Sequence, residues 1–351
     1  MFSPIFKLAL RQDELGKVSI LPNKPIGYNI VYYSQASSYT LVGWEIVREG
    51  EAIAGEIFGI SLHIIRLLMS DRSNQYKATG IILKGTTLKE TDRLVTILTP
   101  EHGLIKAVAP GAKKIKSRLR GRTELFVVNE LLIVKGRSLD KIIQAETIYT
   151  YPGLSQDLGR LAAAQYLGEL AVYLAVDEQP QEELYELLNE HLRRIERLQP
   201  QQSVYPYIVQ GVFHLLAIAG IAPQVQACCV TNQTVSLEDI GDRWRGGFSF
   251  DNGGVIFPEQ GAEKPEDEDS NAPPTIVQYK INGVELGILQ HLSNNTLPNP
   301  QDFLPSHLKT LLSIDSAWIR IEQILRQYIK HHLGKSIRSA NLVDNLYLIE
   351  F

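Results

Sequence analysis

The chain has 351 residues, 44% of them hydrophobic and 21% charged, with a formal net charge of −4; this is the composition of an ordinary globular protein and excludes collagen-like, coiled-coil and disordered chains. The length exceeds that of a usual single domain, so two or three compact units are expected. Cys228 and Cys229 are the only cysteines and are adjacent, which excludes a disulfide framework and fits a reducing, cytoplasmic setting.

Residues 1–68 show short apolar runs cut by Pro22, Pro25, Gly27, Gly43, Gly50, Gly55 and Gly59, with no sustained period. The apolar stretch 52–69 is interrupted by Glu56, His63 and Arg66 and makes a poor membrane span. Two readings stay open for this segment: a genuine extra domain, or an upstream extension without defined fold that precedes a start at Met69, the only methionine besides Met1. We adopt the second as the expectation.

From Tyr76 the pattern turns to short alternating runs. "YKATGIILKG", "DRLVTILTP", "GLIKAVAPG", "TELFVVNELLIVKG" and "LDKIIQAETIYTYPG" are separated by Gly, Pro and charged turns. Five such runs over residues 69–151 predict a small antiparallel barrel of OB type. After Pro152 the period becomes helical. Helices are expected at 155–176, with Ser155 as cap, at 180–198, and at about 204–219, closed by Gly220 and Pro223. Residues 152–223 thus form the first part of a helical domain. "GDRWRGGFSFDNGGVIF" reads as a hairpin with an Asn-Gly-Gly turn, so 224–274 is a small hairpin unit ending in an acidic loop at 263–274. Residues 275–351 complete the helical domain, with helices at about 283–292, 304–313 and 315–334, the last capped by Asp315 and stopped by Gly334. The fold class is therefore α+β and multidomain.

Charge is unevenly spread along this plan. Residues 69–150 carry 15 Lys and Arg against 8 Asp and Glu, a net of +7, whereas residues 151–200 carry 4 against 9, a net of −5. A basic face can bind a polyanion while the whole chain stays acidic. The basic charge peaks in "APGAKKIKSRLRGRTELF" (109–126), which has no acidic residue before Glu124. A phosphate-cradling Walker loop requires Gly-x-x-x-x-Gly-Lys-Ser/Thr ahead of a helix. Ile115 occupies the second glycine position and a strand-like run follows, so that reading fails on two counts. The alternative is electrostatic: Lys106, Lys113, Lys114, Lys116, Arg118, Arg120 and Arg122 lie within 17 residues, between two strands of a barrel whose type commonly holds oligonucleotides. If Arg118, Arg120 and Arg122 sit on a strand, their alternation places all three on one face. Tyr76, Phe126, Tyr149 and Tyr151 are candidates to stack bases or to serve as ordinary barrel residues.

Catalytic and metal motifs are absent from the pattern. Structural zinc takes four Cys/His ligands as two spaced pairs, and one adjacent cysteine pair does not supply them. Glu90 and Asp92 read as surface residues of a hairpin, and His331-His332 as complements to a helix dipole. No catalytic residue, metal or cofactor is expected.

The chain from about Tyr76 to Leu346 resembles the bacterial RecO family of recombination-mediator proteins. The resemblance rests on "GIILKGTTLKETDRLVTILTPEHGLIKAVAPGAKKIKSRLRG", "GRSLDKIIQAETI", "AIAGIAPQVQACC" and "YIKHHLGKSIRSANLVDNL". It implies an N-terminal OB fold, a helical domain and a small inserted unit that binds zinc in some relatives. Here that unit is degenerate: Cys229 is followed by Asn232, and the second ligand pair falls on Phe257 and Gln260. The resemblance further implies binding of single- and double-stranded DNA, strand annealing, and assistance to RecA loading together with RecR and single-strand-binding protein. The alternatives are an RNA-binding OB protein, a nucleic-acid-processing enzyme, or a scaffold whose basic loop docks an acidic partner.

Overall fold

The computed structural model describes residues 74–199, 201–241, 243–257, 276–309 and 314–349, together with five short strands between residues 8 and 55. Strands β1 (Leu8–Gln12), β2 (Val18–Pro22) and β3 (Ile30–Val31) pair antiparallel in that order, and β4 (Trp44–Arg48) pairs with β5 (Glu51–Gly55). These strands occupy part of the segment expected to lack a defined fold; Met69 lies outside the described residues.

The next five strands answer to the five alternating runs. They are β6 (Gln75–Thr87), β7 (Arg93–Thr99), β8 (Gly103–Ala109), β9 (Val128–Val134) and β10 (Asp140–Tyr149). They close into a barrel in the order β10-β8-β7-β6-β9. All described pairings of named register are antiparallel except β8 with β10, where Asp140 faces Ala107 and Lys141 faces Val108. Alternate side chains of a strand point to opposite faces. One face fills the barrel with Ile82, Val95, Ile97, Ile105, Leu131, Ile133 and Ile142. At one end of the barrel the other face carries Ile81, Leu83, Leu98 and Leu104 into a second, larger core shared with the helices. Strand β7 contributes to both cores, which is why Val95–Thr99 is buried without a break.

Helix α1 (Leu158–Leu174) packs against the barrel. Phe126, only 4% exposed, takes φ +60 to place its ring beside Gly168, where an added Cβ would come within 3.2 Å of it. The cap of α1 is Asp157, which accepts from the Arg160 amide, whereas Ser155 lies in a preceding 3-10 turn; the shorter-range carboxylate takes the role expected of the serine. Helices α2 (Glu182–Glu196) and α3 (Tyr205–Ile218) follow, and Gly220 takes φ +71 just past the end of α3. Helices α4 (Gly283–His291), α5 (Ile314–Leu333) and α6 (Ala340–Ile349) complete the bundle; two single-turn helices separate α4 from α5. Of the expected helix at 304–313, residues 306–309 are helical and 310–313 lie outside the described residues. Asp315 sits inside the first turn of α5, and Gly334 (φ +63) closes it as expected.

The hairpin unit is a three-stranded sheet. Strands β11 (Arg245–Ser249) and β12 (Gly254–Ile256) form the expected hairpin, and β13 (Tyr279–Asn282) adds to the other edge of β11. The acidic loop at 263–274 lies outside the described residues. His331 and His332 stand in the last turn of α5, where complements to its dipole are expected, and also reach the hairpin unit. His331 Nε2 lies 3.3 Å from Asp251 Oδ1, and burial together with the charge of His331 holds His332 below the ordinary histidine value.

Candidate nucleic-acid interface

Strand register brings cations that are far apart in sequence onto one outer face of the barrel. Lys84 on β6 faces Thr96 on β7, and Thr96 faces Lys106 on β8. The neighbouring row runs Thr86, Leu94, Val108 and Lys141 across four strands. Register partners share a face. Lys84, Lys106 and Lys141 are exposed on it, while Thr96 is 8% exposed between its two lysines. Lys84 and Lys141 are functional candidates that a scan for charge runs passes over, because each stands alone in its own strand.

The basic run leaves this face at the end of β8 and folds over the mouth of the barrel. Ala112, 3% exposed, and half-buried Leu119 pack into the barrel core and act as plugs. Between them Lys113, Lys114, Ile115 and Lys116 are exposed. Two bonds tie the loop to the β6–β7 turn: the Gly111 amide donates to Asp92 Oδ1 at 2.8 Å, and the Lys113 amide donates to the Thr91 carbonyl at 3.0 Å. Gly111 has φ +63, a conformation that costs a residue with a Cβ. The Gly111 amide holds the Asp92 carboxyl below the usual carboxylate range, and the fields of Lys89 and Lys114 act in the same direction. Asp92 thus clamps the loop to the β6–β7 turn, besides being a surface residue of a hairpin.

The arginine segment departs from expectation. Residues 110–127 contain no strand, and Arg118, Arg120 and Arg122 do not share a strand face. Successive turns carry them instead: the Arg120 amide donates to the Ser117 carbonyl at 3.3 Å, and Gly121–Thr123 forms one 3-10 turn. Thr123, 1% exposed, donates from its hydroxyl to the Leu119 carbonyl at 2.8 Å, and Asn129 Nδ2 donates to the Arg122 carbonyl at 2.8 Å. Turning the chain to bury Leu119 and Thr123 is what breaks the alternation. Arg118 and Arg120 remain exposed, and Arg122 is half-buried.

Among the described residues, the ion pairs of the barrel go to Lys77, Arg93 and Lys135; none goes to the seven cations of the run or to Lys84, Lys89 and Lys141. The rim also exposes two apolar tips, Leu88 at 40% and Ile115 at 85%. Of the four aromatics, Phe126 and Tyr151 are buried and cannot stack a base; Tyr151 donates to Asn189 Oδ1 at 2.6 Å. The Tyr76 hydroxyl donates to Asp140, and Tyr149, 43% exposed, lies edge-on to Tyr151.

The residues of the small sheet do not fit a zinc ion. Cys228 is buried, its Sγ accepts from the Phe257 amide at 3.3 Å, and the Phe257 ring lies against Trp244 where a second ligand pair would begin. Gln260 lies outside the described residues, and among the described residues no three His, Cys, Asp or Glu groups converge as metal ligands. Nor, among them, is any helix long and apolar enough to cross a membrane.

Comparison with known proteins follows the same division of the chain. The family model described as "Recombination protein O N terminal" matches residues 69–151, and "Recombination protein O C terminal" matches residues 155–341. The chain is 56% identical over 283 residues to the DNA repair protein RecO of Gloeothece citriformis (strain PCC 7424), covering 80% of this chain and 100% of that protein. It is 48% identical over 294 residues to the DNA repair protein RecO of Nostoc sp. (strain PCC 7120 / SAG 25.82 / UTEX 2576), covering 78% and 96%. A third relative, the DNA repair protein RecO of Trichodesmium erythraeum (strain IMS101), is 49% identical over 280 residues, covering 77% and 93%.

Proposed function

The chain belongs to the RecO family of DNA repair proteins, and from that premise we propose that it is a non-enzymatic recombination mediator that binds and anneals DNA through its barrel. The observation that carries this reading is the continuous set of cations without ion-pair partners among the described residues, running from Lys84, Lys106 and Lys141 on the outer face to Lys89, Lys113, Lys114 and Lys116 on the rim. The strand order, with β8 parallel to β10, supports an OB-type barrel whose second and third strands are β7 and β8. That pair of strands and the loop ahead of it form the oligonucleotide-binding face of such barrels.

Annealing needs no nucleophile or cofactor. Two strands repel through their phosphates; lysines that neutralise both lower the cost of their approach, and base pairing then supplies the selection. Lysines suit the task because a point charge on a flexible stem tolerates many backbone geometries. The exposed tips Leu88 and Ile115 offer apolar contact to unstacked bases without reading their edges. The helical domain is the part we assign to RecR, single-strand-binding protein and RecA loading, by family resemblance.

The test is strand annealing by the full chain beside nuclease and ATPase assays. We expect faster annealing of complementary oligonucleotides, a steep loss of binding with added salt, and no turnover of nucleotide or cleavage of strands. Preferential binding of RNA, or hydrolysis of either substrate, would favour the RNA-binding or enzymatic alternative. Absence of any salt-dependent binding would leave the basic loop as a dock for an acidic protein.

A further inference from the structure

Asp92 clamps the near end of the basic run, and the next residue reaches its far end. Arg93 Nη1 lies 2.7 Å from Glu124 Oε1, and Glu124 is the only carboxylate in residues 109–126. Adjacent residues of opposite charge, where β7 begins, therefore hold both ends of one loop: Asp92 accepts from the Gly111 amide at 2.8 Å, and Arg93 donates to Glu124.

The sheet shows how a guanidinium comes to lie there. Arg93 shares its face with Val95 and Ile97, which fill the barrel. It stands last in that inward row, with Thr87 on β6 and Ala109 on β8 as its register partners. Gly85, two residues before Thr87, leaves the space that its long side chain needs. An added Cβ at Gly85 would meet Arg93 Nε at 2.6 Å, Cζ at 3.0 Å and Nη2 at 3.1 Å. The glycine is a notch over which the guanidinium crosses the barrel mouth, with the Arg93 side chain 21% exposed and that of Glu124 55% exposed.

Past Glu124 the chain is fixed to the nearer barrel wall. The Phe126 amide donates to the Ile82 carbonyl at 2.8 Å, and the Ile82 amide donates to the Val127 carbonyl at 3.1 Å. Arg93 supplies the tie across to β7, two strands away from β9 in the barrel order. A bond between two ionised groups at this distance is of the strong, charge-assisted kind.

We propose that Arg93 is a positioning residue for the DNA face: acting through Glu124 from the Gly85 notch, it holds the far end of the basic loop over the barrel mouth and engages the one carboxylate of the run. An unengaged carboxylate beside the lysines would repel a phosphate and compete for their charge. The consequence for DNA rests on the reading of the barrel as the DNA face; the consequence for the loop does not.

The experiment therefore has one arm without DNA. Native full-length protein is treated with trypsin, and cleavage after Lys116, Arg118 and Arg120 is followed by mass spectrometry. Cutting of a segment that opens transiently reports the population of its open form. Arg93→Gln and Gly85→Ala should each be cut about fivefold faster than the parent. Gly85→Ala displaces the guanidinium while keeping both charges. The exchange Arg93→Glu/Glu124→Arg should return cleavage to the parental rate. Glu124→Gln, at an exposed side chain, severs the same bond from the other partner and carries the test if Arg93→Gln fails to fold. In the second arm, Gly85→Ala should weaken single-stranded DNA binding by roughly two- to fivefold, and the exchange variant should bind as the parent does. The proposal is overturned if the folded Arg93→Gln or Gly85→Ala protein is cut at the parental rate, if the exchange is cut as fast as Arg93→Gln, or if Gly85→Ala opens the loop yet binds DNA with parental affinity. A parent without salt-dependent DNA binding would instead remove the DNA reading of the barrel, and the cleavage rates would still decide whether Arg93 holds the loop.

Discussion

At the scale of single residues, the loop that carries the basic run is held by one carboxylate and one glycine. Replacing Gly111 by Ala forces a Cβ into φ +63 and should cost about 1–2 kcal/mol; a lower melting temperature together with weaker single-stranded DNA binding would confirm that the loop conformation matters to both. Asp92→Asn separates geometry from charge. Its Oδ1 still accepts from the Gly111 amide, while the negative charge beside Lys89 and Lys114 is gone. DNA affinity should therefore rise by a small factor, roughly two- to threefold as for other surface charges, whereas Asp92→Ala should lower it by freeing the loop; a titration in which both variants lose affinity equally would refute this division. Elsewhere, Glu322 is 1% exposed and is held by Arg326 at 2.8 and 2.7 Å, and Arg326 also reaches both oxygens of Asp344 at 2.8 Å. Arg326→Ala leaves Glu322 buried and unpaired and should cost about 3–5 kcal/mol in urea denaturation. Glu322→Gln/Arg326→Met, which removes both charges, should recover a large part of that loss.

At the scale of elements, the run 109–126 divides into a lysine half and an arginine half that differ in exposure. Lys113, Lys114 and Lys116 are all exposed on the clamped segment, whereas Arg122 is half-buried and its carbonyl is engaged by Asn129. Replacing the three lysines by Ala should lower the log–log salt slope of single-stranded DNA binding by about 2, at roughly 0.7 per contact, and weaken all sequences alike. Replacing Arg118, Arg120 and Arg122 should cost less, since they no longer share a strand face; an equal or greater loss with native circular dichroism would return the arginines to the centre of the interface. This difference marks where sequence reasoning stops. The five barrel strands are legible because alternation is a local property, and the long helices because their apolar stripes and terminal glycines are local too. The path of residues 110–127 is not, since the plugs Ala112 and Leu119 are defined by a barrel mouth built from distant strands. The row Lys84–Thr96–Lys106 and its neighbour Lys141 depend on register, which no single strand encodes. Strand β13 escaped notice for the same reason, its partner β11 being separated from it by the acidic stretch.

At the scale of the whole molecule, a chain of net −4 sets a barrel segment of +7 beside a helical segment of −5, a polarity that would concentrate the proposed polyanion on one domain while limiting unspecific association of the other. The helical domain carries its own response to acid. His191 Nε2 and His214 Nδ1 lie 3.2 Å apart, and His214 Nε2 lies 2.7 Å from the Leu292 carbonyl. That carbonyl can only accept, so His214 carries its proton on Nε2 and accepts through Nδ1 from the Nε2–H of His191; the neutral pair links α2, α3 and the segment after α4. Burial, then the neighbouring His214 and Arg194, lowers His191 to about 3, and burial also lowers His214. A histidine whose folded value lies below its ordinary value of about 6.5 binds a proton in the unfolded chain before the folded one can. The stability it contributes is complete above pH 6.5 and is lost as the pH falls towards 3, at roughly 1.4 kcal/mol per pH unit for each histidine kept neutral. Carboxylates held low act in a separate window: burial opposes ionisation of Glu169, but bonds from Tyr173, Ser339 and Arg338 overcome it, and this contribution fades only below the ordinary carboxylate range. Urea midpoints measured from pH 7.5 to 5 should therefore fall in the parent, while His191→Gln, less stable at pH 7.5 through imperfect packing in the bundle, should show a shallower decline over the same interval. Parallel declines in parent and variant would place the acid sensitivity outside this pair. Strand annealing at pH 6.8, where both proteins stay folded, should be unchanged in His191→Gln, because the histidine pair joins two helices of the bundle and carries none of the cations assigned to the DNA face.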